Sequence, residues 1–174
     1  FKQPTSEELH HDFLWRVNKA LPPRGSIAIF NRSYYEDVLV VQVHDLQKTY
    51  QMAPRVLEDS KKDFFEKRYR QIRSYEEYLY ENSYRVVKIF LHVSDLKERM
   101  RFDEYLDTFD EVITATATKH SPWYAIPADQ KWYTRYLVSE IVLDALQKSC
   151  HEYPVLSDDA KAELLNCKAA LEQE

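Results

Sequence analysis

The sequence predicts an α/β domain with a mostly parallel sheet and helices on both of its faces. Short apolar runs bounded by turn residues, typical of buried strands, alternate with long stretches whose apolar residues recur every three or four positions, typical of amphipathic helices. A chain of 174 residues that is 44% hydrophobic can bury one sizeable core. One domain, residues 1–174, is therefore expected.

The first predicted strand is Ile27–Phe30, which follows the turn residues Pro22–Gly25. Residues 34–44 carry apolar side chains at helical spacing and are predicted to be a helix, although the β-branched run Leu39–Val43 keeps a strand as the alternative. The remaining elements are a helix over 56–82, a strand over 85–93, a helix over 96–117, a strand over 124–126, a helix over 131–148 and a helix over 158–171 with Ser157 as its cap.

Polar residues follow each predicted strand. In an open parallel sheet, ligands bind outside the carboxyl ends of the strands. We therefore expect function at Asn31–Ser33, at His92–Asp95 and at Ala128–Lys131.

Composition excludes several classes of protein. Gly25 is the only glycine, so neither GxGxxG nor GxxxxGK[ST] can occur within this chain. A net charge of −5 argues against a nucleic-acid-binding protein. No apolar run reaches the length of a membrane span, and FKQPTSEELHHDF lacks the basic and apolar blocks of a signal peptide, so the protein is predicted to be cytosolic. Two cysteines, Cys150 and Cys167, are expected to be reduced and unpaired.

Arg32 is the strongest candidate for a phosphate clamp, because a guanidinium binds phosphate oxygens in a bidentate manner. Asn31 and Ser33 would orient a metal-bound water or an oxygen ligand beside it. The alternative is structural: Ser33 to Glu36 also fits a helix capping box, and the two interpretations are compatible. Arg16 and Arg24 flank a proline turn and could reach a phosphate, although lone arginines are more often simply solvated.

The other candidates each have a structural alternative. Residues 61–73 contain six basic residues against Asp63 and Glu66, so Lys67 and Arg68 either contact a polyanion or form a solvated helix face. Asp103 and Asp107, one helical turn apart, fit ion pairs better than a Mg²⁺ site. Asp129 and Lys131 fit nucleotide contacts as well as a helix start. His10, His11 and Asp12 have no second ligand cluster, which disfavours a metal site there.

Five segments in series closely resemble the family-2 polyphosphate kinases. They are IAIFNRSYYEDVLVVQVHDL, RYRQIRSYEEYLYEN, KIFLHVS, DLKERMRFDEY and HSPWYAIPADQKWYTRYLVSEIVLDAL, and FLWR around Trp15 matches as well. The resemblance covers nearly the whole chain. It implies a P-loop kinase-like fold of the thymidylate-kinase type, a three-layer α/β/α arrangement with an α-helical lid, and Mg²⁺-dependent transfer of phosphoryl groups between inorganic polyphosphate and nucleotides.

The resemblance also implies roles for residues. Asn31 and Arg32 stand where the family has its Walker B strand end, usually Asp-Arg, so Asn31 would be a neutral and weaker metal ligand. Asp103 matches an acidic position associated with metal and catalysis. The resemblance implies polyphosphate contacts for Arg16, Arg24, Arg99 and Arg101, and nucleotide contacts for Asp129 and Lys131. The expected partners are polyphosphate and ADP/ATP, AMP or guanine equivalents, in a homodimer or homotetramer.

Two departures from the family pattern are expected to matter. The Walker A loop has no counterpart before Phe1, and part of the lid has none between Ser94 and Asp95. We expect that the sequence contains only some segments of a longer protein. The alternatives are a non-catalytic polyphosphate-binding module that lost its P-loop, and an ATP-dependent nucleotide kinase of the same fold.

Overall fold

The computed structural model describes residues 4–92, 101–149 and 157–158. The chain divides into two compact units, residues 1–138 and 139–174. Within the described ranges the α-helices are α1 Ser6–Leu9, α2 Trp15–Ala20, α3 Val40–Val43, α4 Pro54–Leu57, α5 Lys61–Glu81, α6 Phe102–Thr116 and α7 Lys131–Ser149. Two 3₁₀ helices span Tyr34–Asp37 and Leu46–Thr49, and the strands are β1 Lys88–His92 and β2 Trp123–Pro127.

The two strands pair in parallel, as the sequence predicts. Lys88 lies opposite Trp123 at one end of the ladder and His92 opposite Pro127 at the other. The backbone N–H of Ala128 donates to the carbonyl of His92 at 3.2 Å, which continues the pairing one residue beyond β2. The carboxyl ends of both strands therefore lie at one edge, as expected of a parallel sheet.

The strand predicted over Ile27–Phe30 is wrong for this structure. These residues pair with no strand among the described residues, and Ile27 and Ile29 are 69% and 92% exposed. A β-strand needs a hydrogen-bonded neighbour, which an apolar run cannot supply by itself. Gly25, at φ +80°, supplies the turn before this segment.

The helix predicted over residues 34–44 is interrupted. The chain forms the 3₁₀ helix Tyr34–Asp37 and then α3, which together bury Tyr34, Tyr35, Val38 and Val41. The helical periodicity therefore predicted the buried side chains correctly, and the strand alternative over Leu39–Val43 is wrong.

The long helix predicted over 56–82 begins later than expected. Residues 54–57 form the short α4, and α5 begins after Ser60, whose side chain accepts a hydrogen bond from the backbone N–H of Asp63 at 3.2 Å. A serine N-cap of this kind favours the start of a new helix at this point over the continuation of α4. The predicted helix over 96–117 is confirmed from Phe102 to Thr116.

The helix predicted over 131–148 is confirmed as α7. Leu96–Met100, most of the helix predicted over 158–171, and both cysteines lie outside the described residues.

The hydrophobic core lies in the first unit. Phe65, Tyr69 and Ile72 of α5 lie in it with Val17 of α2 and Val112 of α6, and all five are almost fully buried. The apolar face of α5 thus packs against the segments that precede and follow it.

The second unit is described from Ser139 to Ser149, at the end of α7, and at residues 157–158. There Lys148 forms an ion pair with Asp144 one turn earlier, at 2.7 Å. Throughout the described part of the chain, no helix combines the length and the apolar character needed to cross a membrane.

Candidate functional site

Residues 31–37, which we name the arginine turn, follow the extended segment Ile27–Phe30. Arg32 has a left-handed backbone with φ 60°, uncommon for a residue with a Cβ atom. The side chain of Ser33 accepts from the N–H of Tyr35 at 3.3 Å, so the expected serine cap is present. Tyr35 is the second residue of the 3₁₀ helix. A capping box would instead require a bond from the N–H of the third residue, Glu36.

Glu36 is a half-buried carboxyl group in the arginine turn. Burial raises its pKa, while positive charges, that of Arg32 first, act against that rise. Arg32 is exposed at the surface.

Arg16 lies on helix α2. Its side chain is 17% exposed, and one guanidinium nitrogen lies 3.7 Å from a carboxylate oxygen of Glu8. Arg32 is the more exposed of the two arginines and has the chemistry to bind an anion such as phosphate, because guanidinium groups bind its oxygens.

A second polar region surrounds Arg101, just before α6. Arg101 donates to Glu104 at 2.8 and 3.1 Å, to the carbonyl of Val43 at 2.6 Å and to Nδ1 of His44 at 3.0 Å. Because guanidinium only donates, Nδ1 of His44 accepts, which leaves Nε2 to donate to the hydroxyl of Tyr105, 3.0 Å away.

This region lines a cleft of about 350 Å³. Its wall combines basic and acidic side chains, among them Lys61, Arg101, Asp45, Glu104 and Asp107. Arg101, predicted to contact polyphosphate, already makes four hydrogen bonds to three residues, Val43, His44 and Glu104. Its phosphate contact stays a prediction.

The predicted contacts on α5 are held by internal partners. Lys67 binds both carboxylate oxygens of Asp59, at 2.6 and 2.7 Å. Arg68 is only 13% exposed, and its Nε lies 3.1 Å from Oδ2 of Asp37. The guanidinium of Arg68 also lies over the ring of Phe13, 4.2 Å from its centroid. Arg68 therefore has a structural role, and a phosphate contact by this residue would require the Asp37 pair to open.

The remaining predicted site residues are at the surface. Asp103 is exposed in the first turn of α6, and Asn31 is exposed at the start of the arginine turn. Arg24, Asp129 and Lys131 are exposed as well. Arg99 lies outside the described residues. Their predicted roles in binding stay predictions.

Across residues 4–92, 101–149 and 157–158, no three His, Cys, Asp or Glu side chains are grouped so that they could hold a metal ion. Mg²⁺ is commonly held by one or two carboxylates together with substrate phosphates, so Asp103 and the amide oxygen of Asn31 have suitable donor chemistry without forming a cage.

Sequence reasoning missed a buried ion pair beneath the arginine turn. Glu76 of α5 and Lys88 of β1 are 1% and 5% exposed, with Nζ and Oε2 2.7 Å apart. Two signals could have revealed it: Glu76 falls on the apolar face of α5 between Ile72 and Leu79, and Lys88 interrupts the apolar run RVVKIFLHV.

Comparison with known proteins gives consistent matches. The sequence model of the family described as Polyphosphate kinase 2 matches residues 1–102 and 93–154. The ADP-polyphosphate phosphotransferase of Rhodopseudomonas palustris is 38% identical over 195 residues, covering 98% of this chain and 67% of the relative. The AMP/ADP-polyphosphate phosphotransferase of Meiothermus ruber is 35% identical, covering 88% of this chain and 62% of the relative.

A solved structure agrees in fold. The crystal structure of polyphosphate kinase 2 from Arthrobacter aurescens superposes with a TM-score of 0.79 at 32% identity, covering 100% of this chain and 64% of that protein. The chain thus spans about two thirds of the length of the relatives it matches. The P-loop kinase-like fold class implied by the resemblance is supported by this likeness.

Proposed function

Because the chain belongs to the polyphosphate kinase 2 family, we propose that the protein transfers phosphoryl groups between inorganic polyphosphate and a nucleoside mono- or diphosphate. The relatives named above are polyphosphate phosphotransferases with AMP or ADP in their names, which supports this substrate class. The observation that carries the proposal is the match of the family model to residues 1–102 and 93–154, which includes the exposed Arg32 of the arginine turn.

Phosphoryl transfer needs little covalent help from the protein. Catalysis consists of holding the two phosphate groups in line and of neutralising the charge on their oxygens. Arg32 would clamp one phosphate through two parallel hydrogen bonds, and Arg16 would add charge from its helix.

Mg²⁺ belongs to the proposal as the cofactor. Asp103 and Asn31 would hold it with the substrate phosphates, and when bound it supplies positive charge to the phosphate oxygens. Arg24, Arg99 and Arg101 are proposed polyphosphate contacts, and Asp129 and Lys131 proposed nucleotide contacts.

Oligomeric assembly and location complete the proposal. A homodimer or homotetramer is supported by the exposed aromatic side chains Trp132 and Tyr136, 70% and 54% exposed at the start of α7. A cytoplasmic location fits nucleotide substrates.

The decisive experiment replaces Arg32 by alanine in the complete protein. We expect kcat/KM with polyphosphate to fall about a hundredfold or more, because a charge-assisted bidentate contact to the transferred group is lost. Arg32→Lys should recover only part of the loss, since lysine cannot form the planar fork. Arg70→Ala, an exposed arginine on α5, serves as the matched control and should leave kcat/KM near that of the wild type.

The donor must be tested in the same assay. Polyphosphate and ATP are offered together to a nucleotide acceptor, and polyphosphate should be consumed. A protein that uses only ATP as donor would be a nucleotide kinase of the same fold, and one that transfers nothing would contradict the proposed activity.

A further inference from the structure

The buried ion pair of Glu76 and Lys88 anchors the arginine turn. The hydroxyl groups of Tyr34 and Tyr35 both donate to Oε1 of Glu76, each at 2.8 Å. Lys88 donates to Oε2 of Glu76 at 2.7 Å, to the carbonyl of Thr116 at 2.9 Å and to the hydroxyl of Tyr35 at 3.1 Å. One network therefore connects the turn to α5, β1 and α6.

Every strong donor and acceptor of the pair is used. The three protons of an ammonium group match the three acceptors around Lys88, and both oxygens of Glu76 accept. Burial of Lys88 lowers its pKa, and the charge of Glu76 opposes this. A buried network in which every hydrogen bond is made can fix the positions of its side chains, because the strength of each hydrogen bond depends on its direction.

Stability alone does not account for this pair. A buried ion pair can often be replaced by well-packed apolar side chains without loss, because removing two charges from water offsets their attraction. What apolar side chains could not provide is a directional tie to the hydroxyl groups of Tyr34 and Tyr35. The pair is therefore suited to fixing the position of the turn.

The backbone of Arg32 needs such a fixed neighbour. Its left-handed φ of 60° is disfavoured for a residue with a Cβ atom, and such a conformation persists only where the surroundings determine it. Ser33 caps the turn, and Tyr34 and Tyr35 follow at once with their hydroxyl groups on Glu76. The anchor thus acts two and three residues from the strained position.

We propose that Glu76 and Lys88 are positioning residues that hold Arg32, through Tyr34 and Tyr35, in the orientation that binds a polyphosphate group. This inference rests on the proposed function. It assigns the pair a role in activity although neither residue reaches the surface where substrate binds.

The test is a double-mutant cycle in the complete protein. The variant Tyr34→Phe/Tyr35→Phe cuts the tie to Glu76 and keeps both rings in the core. With Arg32 present, we expect kcat/KM for polyphosphate to fall about tenfold to a hundredfold, as a small misplacement of a binding group can cause. In the Arg32→Ala background the same two changes should have no further effect, because the group they position is gone.

A matched control and a second readout complete the design. Tyr75 lies on α5 beside Glu76, and its hydroxyl donates to Asn18 at 2.9 Å. Tyr75→Phe therefore removes a tyrosine hydroxyl without cutting the tie to Glu76, and it should leave kcat/KM unchanged. Where Arg32→Ala has no detectable turnover, the dissociation constant for polyphosphate is measured across the same four proteins. Circular dichroism checks that each variant is folded, and Tyr34→Phe alone replaces the double variant if that one is not.

The possible results of this experiment distinguish failure of the positioning role from failure of the proposed function. An equal loss in both backgrounds, or no loss with Arg32 present, would overturn the positioning role while the proposed function stands. A wild-type protein without polyphosphate turnover would instead overturn the proposed function. A loss of kcat/KM that occurs when Arg32 is present and is absent from the Arg32→Ala background would support the inference.

Discussion

At the scale of single residues, charged side chains that look alike in the sequence divide into structural and surface groups. Arg68 and Arg70 stand two positions apart in the same basic run. Arg68 is nearly buried beside Asp37 and between the rings of Phe13 and Phe64, whereas Arg70 is exposed. The difference arises from the helical period, which turns one arginine inward and the other outward.

We expect Arg68→Ala to destabilise the protein by about 3 kcal/mol, because it leaves the buried carboxyl of Asp37 without its countercharge. Burial raises the pKa of Asp37, and the charge of Arg68 opposes that rise, followed by the hydrogen bond from Tyr50. The free energy of unfolding is measured by urea denaturation. Arg70→Ala should change it by less than about 0.5 kcal/mol, as most surface substitutions do. Equal effects of the two substitutions would contradict the structural role of Arg68.

At the scale of secondary-structure elements, caps decide where helices begin. The apolar spacing continues from Val56 into α5, yet the helix begins afresh at Lys61. Ser60 marks the boundary: it accepts from the N–H of Asp63, and its hydroxyl donates to the carboxylate of Asp63 at 2.7 Å. Hydrophobic periodicity predicts the buried face of a helix better than it predicts the ends.

Ser60→Ala should therefore lower the free energy of unfolding by about 1 kcal/mol, the usual effect of removing a serine N-cap. Ser74→Ala is the matched control, since Ser74 is exposed in the interior of the same helix. There alanine has the higher helix propensity, and stability should stay the same or rise slightly. Thermal and urea unfolding of both variants give the comparison. If Ser60→Ala had no effect, the cap would not set the start of α5.

At the scale of the whole molecule, tyrosine hydroxyl groups form much of the polar interior. Burial raises the pKa of Tyr75 to about 12. It raises the pKa of four further tyrosines to still higher values, with nearby carboxylates adding to the rise; these are Tyr34, Tyr35, Tyr50 and Tyr69. The folded protein therefore keeps these protons at a pH where the unfolded chain loses them.

The raised pKa values of these tyrosines make the stability of the folded protein depend on pH. Because the folded pKa values lie above the unfolded value of about 10, this contribution to stability is fully present below pH 10 and is lost progressively as the pH rises above it. The lowered pKa of Lys88 acts in the opposite direction, but it is one group against five. We expect Tm to fall steeply above pH 10. A Tm that stays level between about pH 9 and about pH 11 would contradict this.

The sequence could predict features that depend on local pattern. The parallel strands β1 and β2, the helices α5, α6 and α7 and the family resemblance all follow from runs of neighbouring residues, and the structure and comparisons confirm them. The strand over Ile27–Phe30 was wrong because a strand requires a partner elsewhere in the chain. Helical period and a charge within an apolar run point to burial of Glu76 and Lys88, but the pairing of Arg68 with Asp37 and of Glu76 with Lys88 could not be predicted, because the partners lie on different elements.

By itself the sequence determined the fold class, the family and the residues with the chemistry to bind phosphate, because residue types and their spacing carry that information. Only the tertiary structure decided which of those residues meet. It paired Arg68 with Asp37 and set the buried ion pair of Glu76 and Lys88 beneath the arginine turn. Charge interactions act through space and weaken with distance, so they depend on how the chain folds and not on the order of its residues.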